Sequence, residues 1–293
     1  MLNQRVNRFS TIRKWIRSVK YLRSRQDYYD GLRSSRSLEE VQLWAVRHPL
    51  VGFNKDSIRA VIIESLAKAH RATVFVETGT YHGATALCAC RYLCLPVYSC
   101  EISFKRFALS KLVTIGERNV RISWDSSTDF IRRLVGRRLV EGRPLFYLDA
   151  HWEQHLPLVD EIALITQMKQ FAVIIDDFSV PSIEDFGHDN YNELPLGTDL
   201  IRDTLLSGGI SKCYFPNYSP SIETGLRRGY CVFWRSDELE EVFSERSSCF
   251  PLNLLTAYDL AKSTRSVIMP KARIDETRQK DKIGSRSKRL IQE

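Results

Sequence analysis

Five short apolar runs in this chain each end in a carboxylate. Glu77 closes Thr73–Val76, Glu101 closes Pro96–Cys100, Asp125 closes Val120–Trp124, Asp149 closes Pro144–Leu148, and Asp176-Asp177 close Phe171–Ile175. One such residue is ordinary, since Asp caps helices, and Asp125 is open to that reading. All of them on one rim would repel strongly unless cations, amines or hydroxyl donors neutralised them. Asp149, Asp176 and Asp177 are hard oxygen donors suited to Mg²⁺, Mn²⁺ or Ca²⁺. His151, two residues beyond Asp149, can join a softer metal or take the proton of a hydroxyl that a metal acidifies; a satisfied core or surface histidine is the plainer reading. The catalytic candidates are therefore His151 and Asp149, and His155 reads as a loop residue.

The second chemical feature is Glu77-Thr78-Gly79-Thr80-Tyr81-His82-Gly83, which passes from a strand through a tight turn into small residues fit for a helix. Gly79 and Gly83 would let backbone approach a ligand where a Cβ collides, ahead of a helix N-terminus with unpaired N–H groups. Glu77 repels a pyrophosphate but attracts a cationic amino group or ribose hydroxyls. Glu101 stands 24 positions further on, near the roughly 20-residue offset at which a second-strand acid holds a ribose, which points to a nucleoside-containing cofactor.

Alternating strands and helices must position these residues. Helices are expected from Ser57 to about His70, Ala84 to Tyr92, Phe104 to Ile115, Thr128 to Leu139, Leu158 to Lys169 and Thr198 to Leu206. Five strands at this pace imply a parallel sheet covered on both faces, its ligand crevice outside the carboxyl ends. Cys213–Phe215 and Tyr230–Trp234 are too close in sequence for a crossover helix and are expected as an antiparallel pair. The fold class is thus α/β, a doubly wound and mostly parallel seven-stranded sheet with a C-terminal antiparallel hairpin. The proline- and glycine-marked stretch 178–197 is long enough to suggest a functional loop or lid. Tyr191, Asn192 and Arg227 are candidates to close over an acceptor.

Charge divides the 293 residues unevenly: 1–37 carry net +8, 262–293 carry net +6, and 38–261 carry −6. Three segments follow, a basic arm (1–37), one catalytic-sized domain (38–261) and a basic tail (262–293) with a disorder-like composition. Basicity confined to the ends gives no reason to expect a specific nucleic-acid groove. Residues 9–25 set Phe9, Ile12, Trp15, Ile16 and Val19 at helical spacing among Arg and Lys, as in a helix that lies on an anionic membrane or packs on its own domain. Ser34–Ser37 reads as a linker. No apolar run is long enough to span a membrane and no secretory signal is apparent. Seven cysteines without metal or disulfide spacing are expected as reduced thiols, placing the chain in the cytoplasm, at most peripheral to the inner membrane face.

At Glu77–Gly83, Glu101, Leu148-Asp149-Ala150-His151 and Ile175-Asp176-Asp177-Phe178 the chain resembles class I S-adenosylmethionine-dependent methyltransferases. Within them it is similar to the metal-dependent macrolide and aminocoumarin sugar O-methyltransferases and the cephalosporin-hydroxylase-like proteins, over about 73–180. The resemblance implies the Rossmann-like methyltransferase fold, S-adenosyl-L-methionine as cofactor with Mg²⁺ or another divalent cation, and a small-molecule or sugar hydroxyl as acceptor. It puts cofactor contacts at Glu77, Gly79, Thr80, Tyr81, Gly83, Glu101, Asp125 and Ser126, and the metal at Asp149, Asp176 and Asp177. Tyr81 departs from the pattern, standing where many class I enzymes carry a second glycine, and the role of His151 rests on its chemistry alone. The rival readings are a nicotinamide dehydrogenase, disfavoured by Glu77 and the missing GxGxxG; a non-haem-iron oxygenase-like enzyme, short of a second clear histidine; and a binding module without catalysis.

Overall fold

A computed structural model describes residues 34–47, 52–137, 140–151, 156–181, 183–191, 194–244 and 249–262. The amphipathic segment 9–25, His155, Asn192 and nearly all of the basic tail lie outside them. Eight strands form one sheet, β1 (Val74–Thr78), β2 (Val97–Glu101), β3 (Val120–Trp124), β4 (Pro144–Leu148), β5 (Phe171–Ile175), β8 (Lys212–Pro216), β9 (Cys231–Arg235) and β10 (Leu255–Asp259), and β6 (Asn190–Tyr191) with β7 (Leu194–Pro195) makes a separate small ribbon. The order is β10-β8-β9-β5-β4-β1-β2-β3. β1 to β5 run parallel, whereas β9 pairs antiparallel with both β5 and β8. The doubly wound Rossmann-like sheet and its antiparallel pair are therefore present. An eighth strand, β10, extends the sheet beyond β8; in its Leu-Thr-Ala-Tyr-Asp sequence only Leu255 is buried, too little pattern to announce a strand.

β1, β4 and β5 are buried along their whole length, as strands covered on both faces must be, and edge strand β3 alternates. One helical layer holds α5 (Ser127–Gly136), α6 (Leu158–Ile165) and α7 (Thr198–Ser207). The other is built around α2 (Ser57–Ala69), with α1 (Leu38–Arg47), α3 (Ala84–Cys88), α4 (Phe104–Val113) and α8 (Asp237–Ser244). The expected helix Ala84–Tyr92 is five α-helical residues followed by a π-helical segment, Ala89–Leu93, which Cys94 ends in a left-handed conformation. α2 is buried nearly all round, because α1 and α8 cover the face turned from the sheet. Ser37 is a helix cap rather than linker: its Oγ accepts from Glu40 N at 3.2 Å. All seven cysteines are free thiols. Among the described residues no helix is long and apolar enough to cross a membrane.

Candidate active-site cleft

The chain winds outward from β1 through β2 to β3, then crosses back to β4 and β5, so the switch point lies between β1 and β4. A cleft of about 380 Å³ opens there at the carboxyl ends of the strands, a size fit for a small ligand. Gly79, Tyr81, Glu101, Asp125, Asp149, His151 and Asp177 of the expected site all line it.

The glycine turn is demanded by packing as much as by any ligand. Gly79 has φ +80, and a Cβ there would overlap the Asp149 carbonyl oxygen, so glycine is what lets the turns after β1 and β4 meet. A Cβ on Gly83 would press on Ser110 of α4 at 3.1 Å, and Gly83 does not line the cleft. Tyr81 takes φ +50 with its ring stacked on His82 at 3.7 Å and under the Arg106 guanidinium at 4.9 Å.

Glu101 is fixed by backbone: Tyr81 N–H donates to Oε2 and Ser103 N–H to Oε1, each at 2.8 Å. That leaves an oriented carboxylate on the cleft wall with lone pairs to spare. Asp125 is paired with Arg133 and also accepts from Ser126 N at 2.9 Å. Capping of α5 falls to Ser126, whose Oγ accepts from Asp129 N at 3.2 Å; Ser127, not Ser126, faces the cleft.

Three expected site residues lie beneath the cleft instead of lining it. Glu77 is 2% exposed, accepting from Ser99 Oγ, and burial pushes its carboxyl up to about 8, with Glu101 adding to the effect. Thr80 is buried with its hydroxyl on Ser99. Asp176 is taken up by Arg59, the Tyr147 hydroxyl and the Asn54 amide, so it is spoken for inside the protein.

The triad Asp149, Asp176 and Asp177 is accordingly not the set that comes together. Ligand atoms of Asp149, His151 and Asp177 lie within 4.8 Å of one another. His151 Nε2 is buried without a hydrogen-bond partner, 3.9 Å from Asp149 Oδ1. Burial holds its pKa below the usual value despite the pull of Asp177, Asp176 and Asp189, so the ring is neutral and able to take a proton. Asp149, half-buried, is pushed well above the carboxylate range by burial and by the Asp176 and Asp177 charges. A dication between Asp149 and Asp177 would reverse that, and the donor set fits one.

Asp177 carries φ +53, a left-handed conformation in a non-glycine residue, and pairs with Arg228 at 2.6 Å. Arg228 also pairs with Asp189, whose N–H donates to Asp177 O at 2.9 Å. The described parts of 178–197 are anchored: Phe178 N–H donates to Gly229 O at 3.0 Å, and Phe186 and Leu196 are buried. Tyr191 faces the His151 ring edge-on at 6.3 Å, whereas Arg227 is exposed and Arg228 is the arginine that reaches the site. Asn54, Arg59, Asp189 and Arg228 escaped the sequence reading; an Arg-Arg pair before a glycine and a lone Asn carry no periodic or motif signal.

Compared with known proteins, the chain matches no family model and no curated sequence. It is similar to the solved structure of an O-methyltransferase from Bacillus cereus in complex with SAH, at 15% identity over 67% of this chain and 88% of that one, with a TM-score of 0.43. It is also similar to TomG, an O-methyltransferase from Streptomyces achromogenes involved in tomaymycin synthesis and solved with SAM, at 13% identity over 68% and 89% of the two chains, with a TM-score of 0.43. Likeness of that degree leaves the chemistry to be read from this chain's own side chains.

Proposed function

We propose that the chain is an S-adenosylmethionine-dependent O-methyltransferase, aided by a divalent cation and acting on a hydroxyl of a small molecule or sugar. One observation carries the reading: a backbone-oriented Glu101 and a buried, unpartnered His151 Nε2 share the cleft at the β1/β4 switch point. The first suits a ribose diol and the second a proton in transit.

The cofactor, when bound, supplies a methyl group already activated on a sulfonium sulfur. Gly79 and Glu101 would hold its amino-acid and ribose parts, and Asp125 and Ser127 would border the base. Asp149 and Asp177, with Asp176 withdrawn beneath them, would hold Mg²⁺ or another dication, which acidifies a bound hydroxyl. Neutral His151 accepts the proton at Nε2, and Asp149 beside it stabilises the imidazolium that forms. Alignment by the cleft walls supplies the rest, a contribution that can reach about 7–11 kcal/mol. The activity belongs to residues 38–261 in a cytoplasmic setting, the basic arm at 9–25 giving peripheral contact with anionic membrane.

S-adenosylhomocysteine is expected to raise the melting temperature while NAD does not. Glu101→Ala should weaken that binding about tenfold or more, in line with loss of a charged hydrogen bond. His151→Ala should leave it intact. Stabilisation by NAD and none by S-adenosylhomocysteine would replace this reading with the dehydrogenase.

A further inference from the structure

Large exposed apolar side chains are not scattered over the described surface. Nine are exposed among the described residues, and four of them are Ile102, Phe104, Leu112 and Trp124, each about three-fifths exposed, on α4 and the strand ends beside it. Phe104 and Leu112, eight residues apart on α4, share its outer face with Ala108. Trp124 stands beside Phe104 with ring centroids 5.2 Å apart, and its indole N–H donates to Ile102 O at 2.9 Å, which fixes the ring while leaving its face in water. Monomeric proteins rarely leave such a group together without a partner.

The charges around it say which partner. Lys105 and Lys111 are exposed on the same helix, and the whole stretch 102–116 contains Lys105, Arg106 and Lys111 but no acid. Just beyond it, Glu117 is paired with Arg91 and Asp125 with Arg133. A second copy of the chain would bring like charges face to face. Nucleic acid would satisfy the lysines but leave isoleucine and leucine in water. An anionic bilayer meets both needs, lipid phosphates for the amines and the headgroup boundary for Trp, Phe, Ile and Leu.

We infer that the α4 face formed by Ile102, Phe104, Lys105, Lys111, Leu112 and Trp124 docks on an anionic phospholipid surface. It does so independently of the basic segment 9–25. Because Ile102 also lines the cleft, docking sets the cleft mouth beside the lipid.

The full-length chain is mixed with vesicles containing phosphatidylglycerol or with pure phosphatidylcholine vesicles, and sedimentation is measured. The expected result is capture by the anionic vesicles alone, weakened by salt. A full-length F104S/L112S/W124S variant should lose binding about tenfold or more while still unfolding cooperatively, since these side chains are exposed and only the Trp124 bond to Ile102 O and its contact with Phe104 are given up, and K105E/K111E should do likewise. A full-length variant with Arg13, Lys14, Arg17 and Lys20 changed to Gln should keep measurable binding that still depends on Phe104. Equal capture of the face variants and the parent overturns the inference. So does a parent that sediments as a dimer in the ultracentrifuge while F104S/L112S/W124S is a monomer, or one that binds duplex DNA through this face and no vesicle. Binding of S-adenosylhomocysteine is scored separately, so loss of one reading leaves the other standing.

Discussion

Glu77 shows how a carboxylate reads differently once its neighbours are known. Buried under the cleft and pushed up to about 8 from an ordinary 4.5, it keeps its proton in the folded chain at pH values where the unfolded chain has lost it. Below 4.5 both states are protonated and its contribution is complete; as pH rises from there through about 8 the contribution is lost. Glu77→Gln mimics the protonated form, so the drop in melting temperature between pH 5 and pH 8 should be smaller in the variant. The drop will not vanish, because Glu161 and Glu223, each pushed up to about 7 chiefly by burial, work in the same direction. An identical drop in variant and parent would show that Glu77 is ionised in the fold.

Among the elements, the turn after β1 bears most directly on the site, because it and the turn after β4 touch at Gly79 and Asp149. Gly79→Ala adds both a left-handed backbone cost and a clash with a carbonyl that cannot move without shifting Asp149. A loss of about 3 kcal/mol in denaturant unfolding is expected. Gly116→Ala is the control: φ is +88 but nothing lies within 4 Å of the added Cβ, so only about 1–2 kcal/mol should be lost. Equal losses for the two would mean that the β1–β4 contact adds nothing beyond backbone strain.

Across the whole molecule, Arg59 ties three distant stretches together. It sits fully buried on α2, pairs with Asp56 and with Asp176 at the tip of β5, donates to Arg228 O and lies over the Tyr230 ring at 4.9 Å. Arg59→Met strands two buried carboxylates and should cost about 3–5 kcal/mol. Adding Asp176→Asn should recover part of that loss, an interaction that a double-mutant cycle measures. Full additivity of the two changes would show that Arg59 acts through packing alone.

The fold was legible because its signals are local. Valine, isoleucine and phenylalanine runs in fully buried strands, spaced by helices of matching length, leave few topologies for a chain whose crossovers are right-handed. The acidic rim was legible too, since each residue sits at the end of a recognisable run. What the sequence could not show is how each carboxylate is answered. Glu77 lies inside β1, buried against Ser99, whereas this segment lines the cleft only from Gly79 onward, past the end of the strand. Arg59 and Arg228 come from α2 and the segment before β9, brought to Asp176 and Asp177 only by tertiary packing, whereas Arg133 meets Asp125 from the helix that follows it in sequence. The residue types and the edge of the sheet where chemistry sits were written in the chain; which acids remain for a ligand was decided when arginines distant in sequence folded against the rest.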